Sequence, residues 1–178
     1  MKIVIASDIH GSAFWTGKVL EAFDREKADK LLLLGDVYNH GPRNPFPEEY
    51  APQNVAELLN SVKDRLIVVK GNCDSQVDTL ISEFDFIEDV CVVSGGKTVF
   101  CTHGHVFNKD NPPVTRFDAV IYGHFHTGFI ERKDGVIFAN AGSVSLPKNG
   151  TPRSYILLDG ANIILKTIDG EVIKEEKI

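Results

Sequence analysis

Cysteine and positive charge are both scarce in this sequence. Its 178 residues include three cysteines, Cys73, Cys91 and Cys101, and 19 basic residues against 25 acidic ones. Three cysteines without a CxxC pair exclude an even-numbered disulfide framework, and they favour a reducing, cytoplasmic setting. The formal net charge of −6 argues against a chain that binds nucleic acid through a basic surface, so we expect no stable nucleic-acid partner.

Long hydrophobic runs are also absent. No uninterrupted run exceeds four residues, whereas a membrane-spanning helix needs about 20. Asp8 and His10 interrupt the position where the apolar segment of a secretory signal would continue, so we expect neither a signal peptide nor a membrane partner.

The composition that is present is that of a globular protein, with 43% hydrophobic and 25% charged residues. No repeat and no Pro/Gly/Ser-rich linker divides the chain, which predicts a single domain over residues 1–178. Short apolar runs alternate with helical spacing in the first half. This pattern predicts strands at 3–6, 31–34 and 66–69 and helices around 19–23, 55–62 and 77–84.

The second half consists of short strand-like runs separated by Gly, Asp and Asn. Parallel βαβ units followed by mostly antiparallel strands predict an α/β fold in which two mixed sheets pack together with helices outside. One segment, 40–52, has four prolines and no periodicity, and it is either a plain surface loop or a wall beside a site.

Five polar clusters follow predicted strands, at the strand ends where α/β sheets bind ligands. They are Asp8-Ile9-His10, Gly35-Asp36, Gly71-Asn72-Cys73-Asp74, His103-Gly104-His105 and Gly123-His124-Phe125-His126. Each cluster alone has an ordinary interpretation, since Asn and Asp favour turns and helix caps. Together they supply carboxylates, an amide and imidazoles without paired thiolates, which predicts a site for Mn²⁺, Fe or Zn²⁺.

This ordered series resembles the calcineurin-like metallophosphoesterases. Two further runs, 39–44 and 140–145, make it similar to the small bacterial YfcE-type phosphodiesterases of that superfamily. The resemblance implies a four-layer αββα sandwich and two divalent metal ions, with Mn²⁺ preferred and Fe, Zn²⁺, Ni²⁺ or Mg²⁺ as alternatives. It also implies attack on a small phosphodiester by a metal-bridging hydroxide, and it suggests a homo-oligomer.

Carried over motif by motif, the resemblance implies seven metal ligands. One metal would be held by Asp8, His10 and His126, the other by Asn72, His103 and His124, and Asp36 would bridge both and take part in catalysis.

Five further assignments concern residues around this set. Asp74 is expected to act in catalysis by fixing the loop of Asn72, which also faces the substrate, and His40 is expected to touch the phosphoryl group. Cys73, His105 and Arg43 are expected to contact substrate. Many larger relatives have a histidine at the position of Cys73, and the ordinary thiol pKa of about 8.5 makes cysteine a poor replacement as a proton donor.

Two alternatives remain open at this stage. The same site would also suit phosphomonoesters, phosphoproteins or cyclic nucleotides. The retromer subunit of eukaryotic cells resembles this family without being an enzyme, so a non-catalytic scaffold is the second alternative, although a scaffold has no reason to keep all seven ligands.

Overall fold

The computed structural model describes residues 1–178 and contains two α-helices and twelve strands. The helices are α1 (Ala13–Glu26) and α2 (Pro52–Asn60). The strands are β1 (Lys2–Ala6), β2 (Lys30–Leu33), β3 (Leu66–Val69), β4 (Phe86–Ile87), β5 (Val90–Ser94), β6 (Lys97–Cys101), β7 (Ala119–Tyr122), β8 (Phe129–Lys133), β9 (Val136–Asn140), β10 (Ser154–Asp159), β11 (Asn162–Thr167) and β12 (Val172–Lys177). Short 3₁₀ helices occupy Lys63–Arg65 and Gln76–Leu80.

The strands form two mixed sheets. The first sheet has seven strands in the order β12-β11-β10-β1-β2-β3-β4, with β1 to β4 parallel to one another. The second has five strands in the order β5-β6-β7-β9-β8, with β6, β7 and β9 parallel. The parallel strands of each sheet therefore end at a common edge, as the predicted arrangement requires.

Two apolar layers hold the fold together. A cluster of 18 buried residues, including Ile5, Leu32, Ile121 and Ile137, fills the space between the sheets. A second cluster of 20 buried residues joins the outer face of the first sheet to α1 and α2 through side chains such as Phe23 and Leu59. The strands β1, β2 and β3 are buried on both faces, which explains why they appear in the sequence as continuous apolar runs.

Helices cover only the first sheet. Residues 103–118 contain no helix or strand, and their aromatic side chains pack on the second sheet, where Phe117 stacks on Phe100 with ring centroids 4.8 Å apart. A small apolar cluster of Val120, Tyr122 and Phe138 lies on this outer face. The outer layer of the second sheet is therefore an irregular segment with an aromatic lining.

The helix predicted around residues 77–84 is wrong. The chain forms only the 3₁₀ helix Gln76–Leu80, whose first turn is capped reciprocally by Ser75 and Asp78. Val77 is 66% exposed and Leu80 is 82% exposed, so two of the four periodic residues have no surface to pack against. Spacing alone does not reveal whether such a surface exists.

Strand β8 has only a weak strand signal in the sequence, because FIERK contains only two apolar residues. It pairs with β9 at the edge of the sheet, and its last two residues, which are charged, are exposed to solvent. No helix of the structure has both the length and the apolar character needed to cross a membrane.

Candidate metal centre

The seven predicted ligands lie in loops that follow parallel strands. Asp8 and His10 follow β1, Asp36 follows β2, and Asn72 follows β3 in the first sheet. The second sheet provides His103 after β6, and His124 and His126 after β7. The two sheets face each other, so their loop ends meet above the core between the sheets.

Backbone conformation at these loops is unusual. Five of the predicted ligands, Asp8, His10, Asp36, His124 and His126, have left-handed φ angles between 52° and 65°. Non-glycine residues seldom adopt this region, and such strain tends to concentrate where function demands a particular geometry. The loops turn sharply here and direct several side chains to one place.

Two glycines allow the loops to approach closely. A Cβ at Gly71 would lie 2.2 Å from Oδ1 of Asp36, and one at Gly123 would lie 1.9 Å from Oγ of Ser7. Neither distance is compatible with a side chain. The glycines that precede Asn72 and His124 are therefore required for the loops of the site to touch.

The first group of ligand atoms consists of Asp8, His10 and His126. The Nε2 atoms of the two histidines are 3.1 Å apart, and Oδ1 of Asp8 is 3.6 Å from that of His10 and 3.3 Å from that of His126. All three side chains are buried. Oδ2 of Asp8 accepts a hydrogen bond from the backbone N–H of His124 at 2.9 Å, which leaves Oδ1 buried without a hydrogen-bond partner.

The second group is built around His103. Its Nε2 lies 3.0 Å from Oδ1 of Asn72 and 3.5 Å from Oδ1 of Asp36. The ring of His124 packs edge-on against that of His103, with centroids 5.1 Å apart. Donor atoms of Asp8, Asp36 and His103 all lie within 4.8 Å of one another, so the two groups are continuous.

Asp36 stands between the groups. Its Oδ1 faces His103, as above, and its Oδ2 is 3.8 Å from Nε2 of His10. One oxygen of this carboxylate therefore faces an imidazole of the second group, and the other oxygen faces an imidazole of the first. This arrangement is compatible with the bridging role that the resemblance implies for Asp36.

The tautomers of the buried histidines show what the site can bind. Nδ1 of His10 donates to the carbonyl of Asn39, Nδ1 of His103 to that of Leu34, and Nδ1 of His126 to that of Leu146, at 2.6–2.7 Å. Because a carbonyl only accepts, each neutral ring presents a lone pair on Nε2. Such outer hydrogen bonds are typical of histidines that bind metals.

These lone pairs repel one another unless something positive lies among them. Nε2 of His10 faces Nε2 of His126, Nε2 of His103 faces an amide oxygen, and the free oxygen of Asp8 points into the same space. Nitrogen and oxygen donors that converge without hydrogens between them match the preferences of divalent cations such as Mn²⁺, Fe²⁺ and Zn²⁺. The residues present therefore fit a metal site.

The protonation equilibria of the first group agree with a strongly anionic carboxylate beside imidazoles. Burial raises the pKa of Asp8, but the neighbouring imidazoles of His10 and His126 outweigh it and hold the pKa well below its usual value. Burial lowers the pKa of His10, and contact with Asp8 outweighs that effect, so the net shift is upward. In the second group, the pKa of His124 is lowered by burial and by His103.

Asp74 joins two loops of the site through the backbone. Its Oδ2 accepts from the N–H groups of Asp36 and Gly71, and its Oδ1 accepts from that of Val37, at 2.7–2.8 Å. Burial raises the pKa of Asp74 to about 6, against the lowering effect of these hydrogen bonds. Both oxygens face the backbone, so the side chain positions Asp36 and does not face the cleft.

The run of residues 140–145 supports the loops from the other side. Asn140 donates from Nδ2 to the carbonyl of Gly123 at 2.6 Å. Ser143 and Ser145 both donate their hydroxyl groups to the carbonyl of Asp8, at 2.7 and 2.9 Å. This run, which the sequence shows only as a motif, is a buttress for the loops of Asp8 and His124.

A cleft of about 680 Å³ opens on the ligands. Its lining comprises Asp36, Asn39, Gly41, Pro42, Arg43, Asn44, Asn72, Cys73, His124, Phe125, His126 and Lys148. Arg43 and Cys73, both predicted to face substrate, lie in this wall. Burial and then Asp36 raise the pKa of the Cys73 thiol to about 12, so the thiol keeps its proton and is a weak acid.

His40 and His105 lie elsewhere. His40 is not among the cleft residues, and its ring packs against Phe46 and Tyr50 with centroid distances of 4.4 and 5.5 Å. His105 lines a separate pocket of about 340 Å³ with Lys70 and Glu88. The structure thus does not bring His40 into the cleft, whereas the ring of His105 lies beside those of His103 and His124, at centroid distances of 5.3 and 6.2 Å.

Sequence reasoning missed Asn39, Asn44, Phe125 and Lys148 as cleft residues. The first two lie in the run 39–44 that carries the resemblance, and that run could have indicated them. Phe125 sits between two predicted ligands in the sequence. Lys148 shows no signal in the sequence, because contacts with a loop distant in the chain, such as the bond from its N–H to the carbonyl of His126, bring it to the cleft.

Comparison with known proteins places the chain in a family. The Calcineurin-like phosphoesterase superfamily domain matches residues 1–162. The chain belongs to this superfamily. Members hold divalent metal ions, in agreement with the converging donors described above.

Individual relatives agree. "Phosphodiesterase YfcE" of Escherichia coli K12 is 46% identical over 170 residues, which cover 94% of this chain and 91% of that protein. "Phosphodiesterase MJ0936" of Methanocaldococcus jannaschii is 27% identical over 166 residues, covering 88% and 92%. The solved structure of YfcE, described as a phosphoesterase from E. coli, superimposes with a TM-score of 0.95 at 42% identity over 100% of both chains. The predicted α/β class with two packed mixed sheets is confirmed.

Proposed function

We propose that this chain is a metal-dependent phosphodiesterase that holds two divalent cations. The observation that carries the proposal is the position of Asp36, whose two oxygens face His103 and His10 at 3.5 and 3.8 Å. The buried free oxygen of Asp8 and the inward lone pairs of three histidines add to it.

In this proposal each cation has its own set of ligands. Asp8, His10 and His126 hold one, and Asn72, His103 and His124 hold the other, with Asp36 shared. Mn²⁺ is the proposed ion, since carboxylate, amide and imidazole donors without thiolates suit it. Fe, Zn²⁺, Ni²⁺ and Mg²⁺ are alternatives that metal analysis distinguishes.

Two divalent cations held by these residues would lower the pKa of a water molecule and would stabilise the charge that develops during the displacement. Two ions carry +4 and the carboxylates of Asp8 and Asp36 carry −2, so the site keeps a charge of about +2 that attracts a phosphate ester. The outer hydrogen bonds of His10, His103 and His126 keep Nε2 of each ring available. Asp74 and the serines of the buttress hold the two carboxylates in place.

A small phosphodiester is the proposed substrate. Support comes from YfcE, a phosphodiesterase by name, which shares nearly half of its residues with this chain. Position 73 carries a cysteine whose thiol is a poor proton donor, and the ring of His40 packs against Phe46. We therefore expect diesters with good leaving groups to react fastest. The similarity to YfcE leads us to expect that monoesters react more slowly.

The test is hydrolysis of bis-p-nitrophenyl phosphate by the purified protein with added Mn²⁺, compared with Asp36→Asn. Loss of the shared carboxylate is expected to lower kcat on the order of 10³-fold, because both cations, which would stabilise the charge of the transition state, would be held less well. Asp169→Asn, an exposed carboxyl in the β11–β12 turn, is the matched control and should retain full activity.

Undiminished turnover in Asp36→Asn would contradict the proposal. So would a protein that turns over no ester and carries less than one ion per chain, which is the outcome expected of a scaffold. A rate on p-nitrophenyl phosphate above that on the diester would make the chain a phosphomonoesterase on the same site.

Two broader points accompany this proposal. Residues 1–178 would act as one domain, because one core lies between the sheets from which all the ligands project. All three cysteines are free thiols, which suits work in the reducing cytoplasm. A homo-oligomer stays a prediction from the resemblance.

A further inference from the structure

The cleft beside the metal centre has an unusual charge distribution for an acidic protein. Asp36 is the only carboxylate among the twelve residues that line the cleft, and its two oxygens face the proposed metal ligands His10 and His103. Two cationic side chains, Arg43 and Lys148, line the same cleft. The remaining wall consists mainly of amides, backbone and imidazoles, none of which neutralises these cations.

Arg43 belongs to a loop that is fixed on the Cys73 side of the cleft. Within that loop the N–H of Asn44 donates to the carbonyl of Gly41 at 3.2 Å, and the Asn44 amide donates to the carbonyl of His40 at 2.9 Å. A Cβ on Gly41 would lie 3.2 Å from Sγ of Cys73, so the loop is pressed against that residue. The backbone that carries Arg43 is therefore well supported, while its guanidinium is exposed.

Lys148 stands on the His126 side. Its backbone N–H donates to the carbonyl of His126 at 2.9 Å, and its carbonyl accepts from the N–H and hydroxyl of Thr151 at 3.1 and 2.9 Å. The side chain itself is exposed. The two cations thus approach the cleft from separate loops, one beside Cys73 and one beside a proposed ligand.

Neither Arg43 nor Lys148 makes a side-chain interaction within the protein. Most of the 19 Lys and Arg side chains donate a hydrogen bond, pair with a carboxylate or cover an aromatic ring. Arg43 and Lys148 do none of these, although the chain carries an excess of acidic residues. Free cations that face a cleft are available to a ligand without breaking an internal contact.

We propose that Arg43 and Lys148 form an anion subsite that selects phosphodiesters carrying a second phosphoryl group on their organic part. This inference rests on the proposed function. The diester that is cleaved has one negative charge, which the metal centre meets. A second phosphate on the same molecule carries up to two more charges, and the free cations of the cleft wall match it. Phe125, whose ring is exposed in the same lining, is available to contact the organic part.

The experiment compares two substrates that differ by one group. Thymidine 5′-(p-nitrophenyl phosphate) and its 3′-phosphorylated counterpart have the same scissile bond and the same leaving group, and nitrophenol release reports only that bond. With Mn²⁺ present, kcat/KM is expected to be about tenfold higher for the 3′-phosphorylated substrate, mainly through KM. The ratio should shrink in high salt, because exposed charges are screened.

The ratio is then measured within each variant. Arg43→Ala and Lys148→Ala should each lower it, and the double variant should bring it to about one. Arg43→Lys should keep part of it, because the charge remains while the planar fork is lost. Lys177→Ala, which removes an exposed lysine of β12 far from the cleft, is the matched control and should leave the ratio unchanged.

Three results would count against the inference. A ratio near one in the unmodified protein, or an unchanged ratio in the double variant, overturns the subsite while leaving the phosphodiesterase standing. Failure to release nitrophenol from either substrate with any of the divalent ions overturns the proposed function and the subsite with it.

Discussion

The two sheets build one site with different chemistry. Loops of the first sheet provide three oxygen donors, Asp8, Asp36 and Asn72, together with His10, whereas loops of the second sheet provide three imidazoles. The carboxylates are held by backbone N–H groups, and the buried imidazoles are held by backbone carbonyls. Neither sheet has the complete set.

This division makes the core between the sheets part of the site. The 18 buried residues of that core fix the distance and register between the sheets, on which every distance from Asp36 to His103 depends. Close packing resists small shifts of this kind. Changes that displace a loop of either edge should therefore cost more than changes that only remove a contact.

The largest effect is expected where two loops of the first sheet touch. Gly71→Ala places a Cβ 2.2 Å from Oδ1 of Asp36 and should lower the free energy of unfolding by about 3 kcal/mol, with activity lost because Asp36 is displaced. Urea unfolding and nitrophenol release measure both effects.

Gly17→Ala is the matched control for this change. Gly17 lies inside α1 with open space around the added methyl group, so the free energy of unfolding should rise by about 0.5–1 kcal/mol with activity unchanged. Equal destabilisation by the two substitutions would show that close approach of the loops is not what Gly71 provides.

The next largest effect on stability is expected from Mn²⁺ binding between the loops of the two sheets. At a Mn²⁺ concentration 100 times the dissociation constant, the folded state gains about 2.7 kcal/mol, which raises Tm by roughly 5–10 °C for a domain of this size. Calorimetry of the protein with EDTA and then with Mn²⁺ measures the shift. Asp36→Asn should lose most of it, and an equal shift in that variant would contradict the role of Asp36 between the two sets of ligands.

A smaller effect is expected from Asp74→Asn. The amide keeps the size of the side chain but replaces one acceptor oxygen, so at least one of three backbone hydrogen bonds is lost at a cost of about 2 kcal/mol. Affinity for Mn²⁺ should fall about 10–100-fold, because Asp36 is less well held. Isothermal titration measures it, with exposed Asp110→Asn as the control; unchanged affinity would mean that Asp36 does not need this support.

The smallest effect is expected from His40→Gln. Its ring packs on Phe46 and Tyr50 outside the cleft, so kcat should change less than about threefold and stability by less than about 1 kcal/mol. A loss of kcat comparable to that of Asp36→Asn would restore the contact with the phosphoryl group that the sequence suggested.

Most of the metal centre could be predicted from the sequence because each of its parts is local. A buried strand that is soon followed by Asp8 or His103 already indicates where that residue lies, since parallel strands end at one edge of a sheet. The resemblance then arranged these parts into two sets of ligands. The structure brings all seven side chains to one place, although whether they bind metal stays a prediction.

Features without such local signals could not be predicted. The segment 40–52 has no periodicity, so nothing in it distinguishes a cleft residue such as Asn44 from a packed residue such as His40. Lys148 reaches the cleft through a backbone bond to a distant loop. The spacing around Val77 suggested a helix because a pattern shows which face would be apolar, not whether a partner surface exists.

The left-handed backbone of five proposed ligands has a consequence for how this site can change. Asn, Asp and His are enriched among the non-glycine residues that tolerate this conformation, and they are also good donors for divalent ions. At Asp8, His10, Asp36, His124 and His126 the local fold therefore accepts much the same residue types that the coordination chemistry accepts. Laboratory evolution toward another metal should therefore exchange these donors mainly among Asn, Asp and His. Recovery of β-branched residues at the five positions would show that the turns do not require a left-handed backbone.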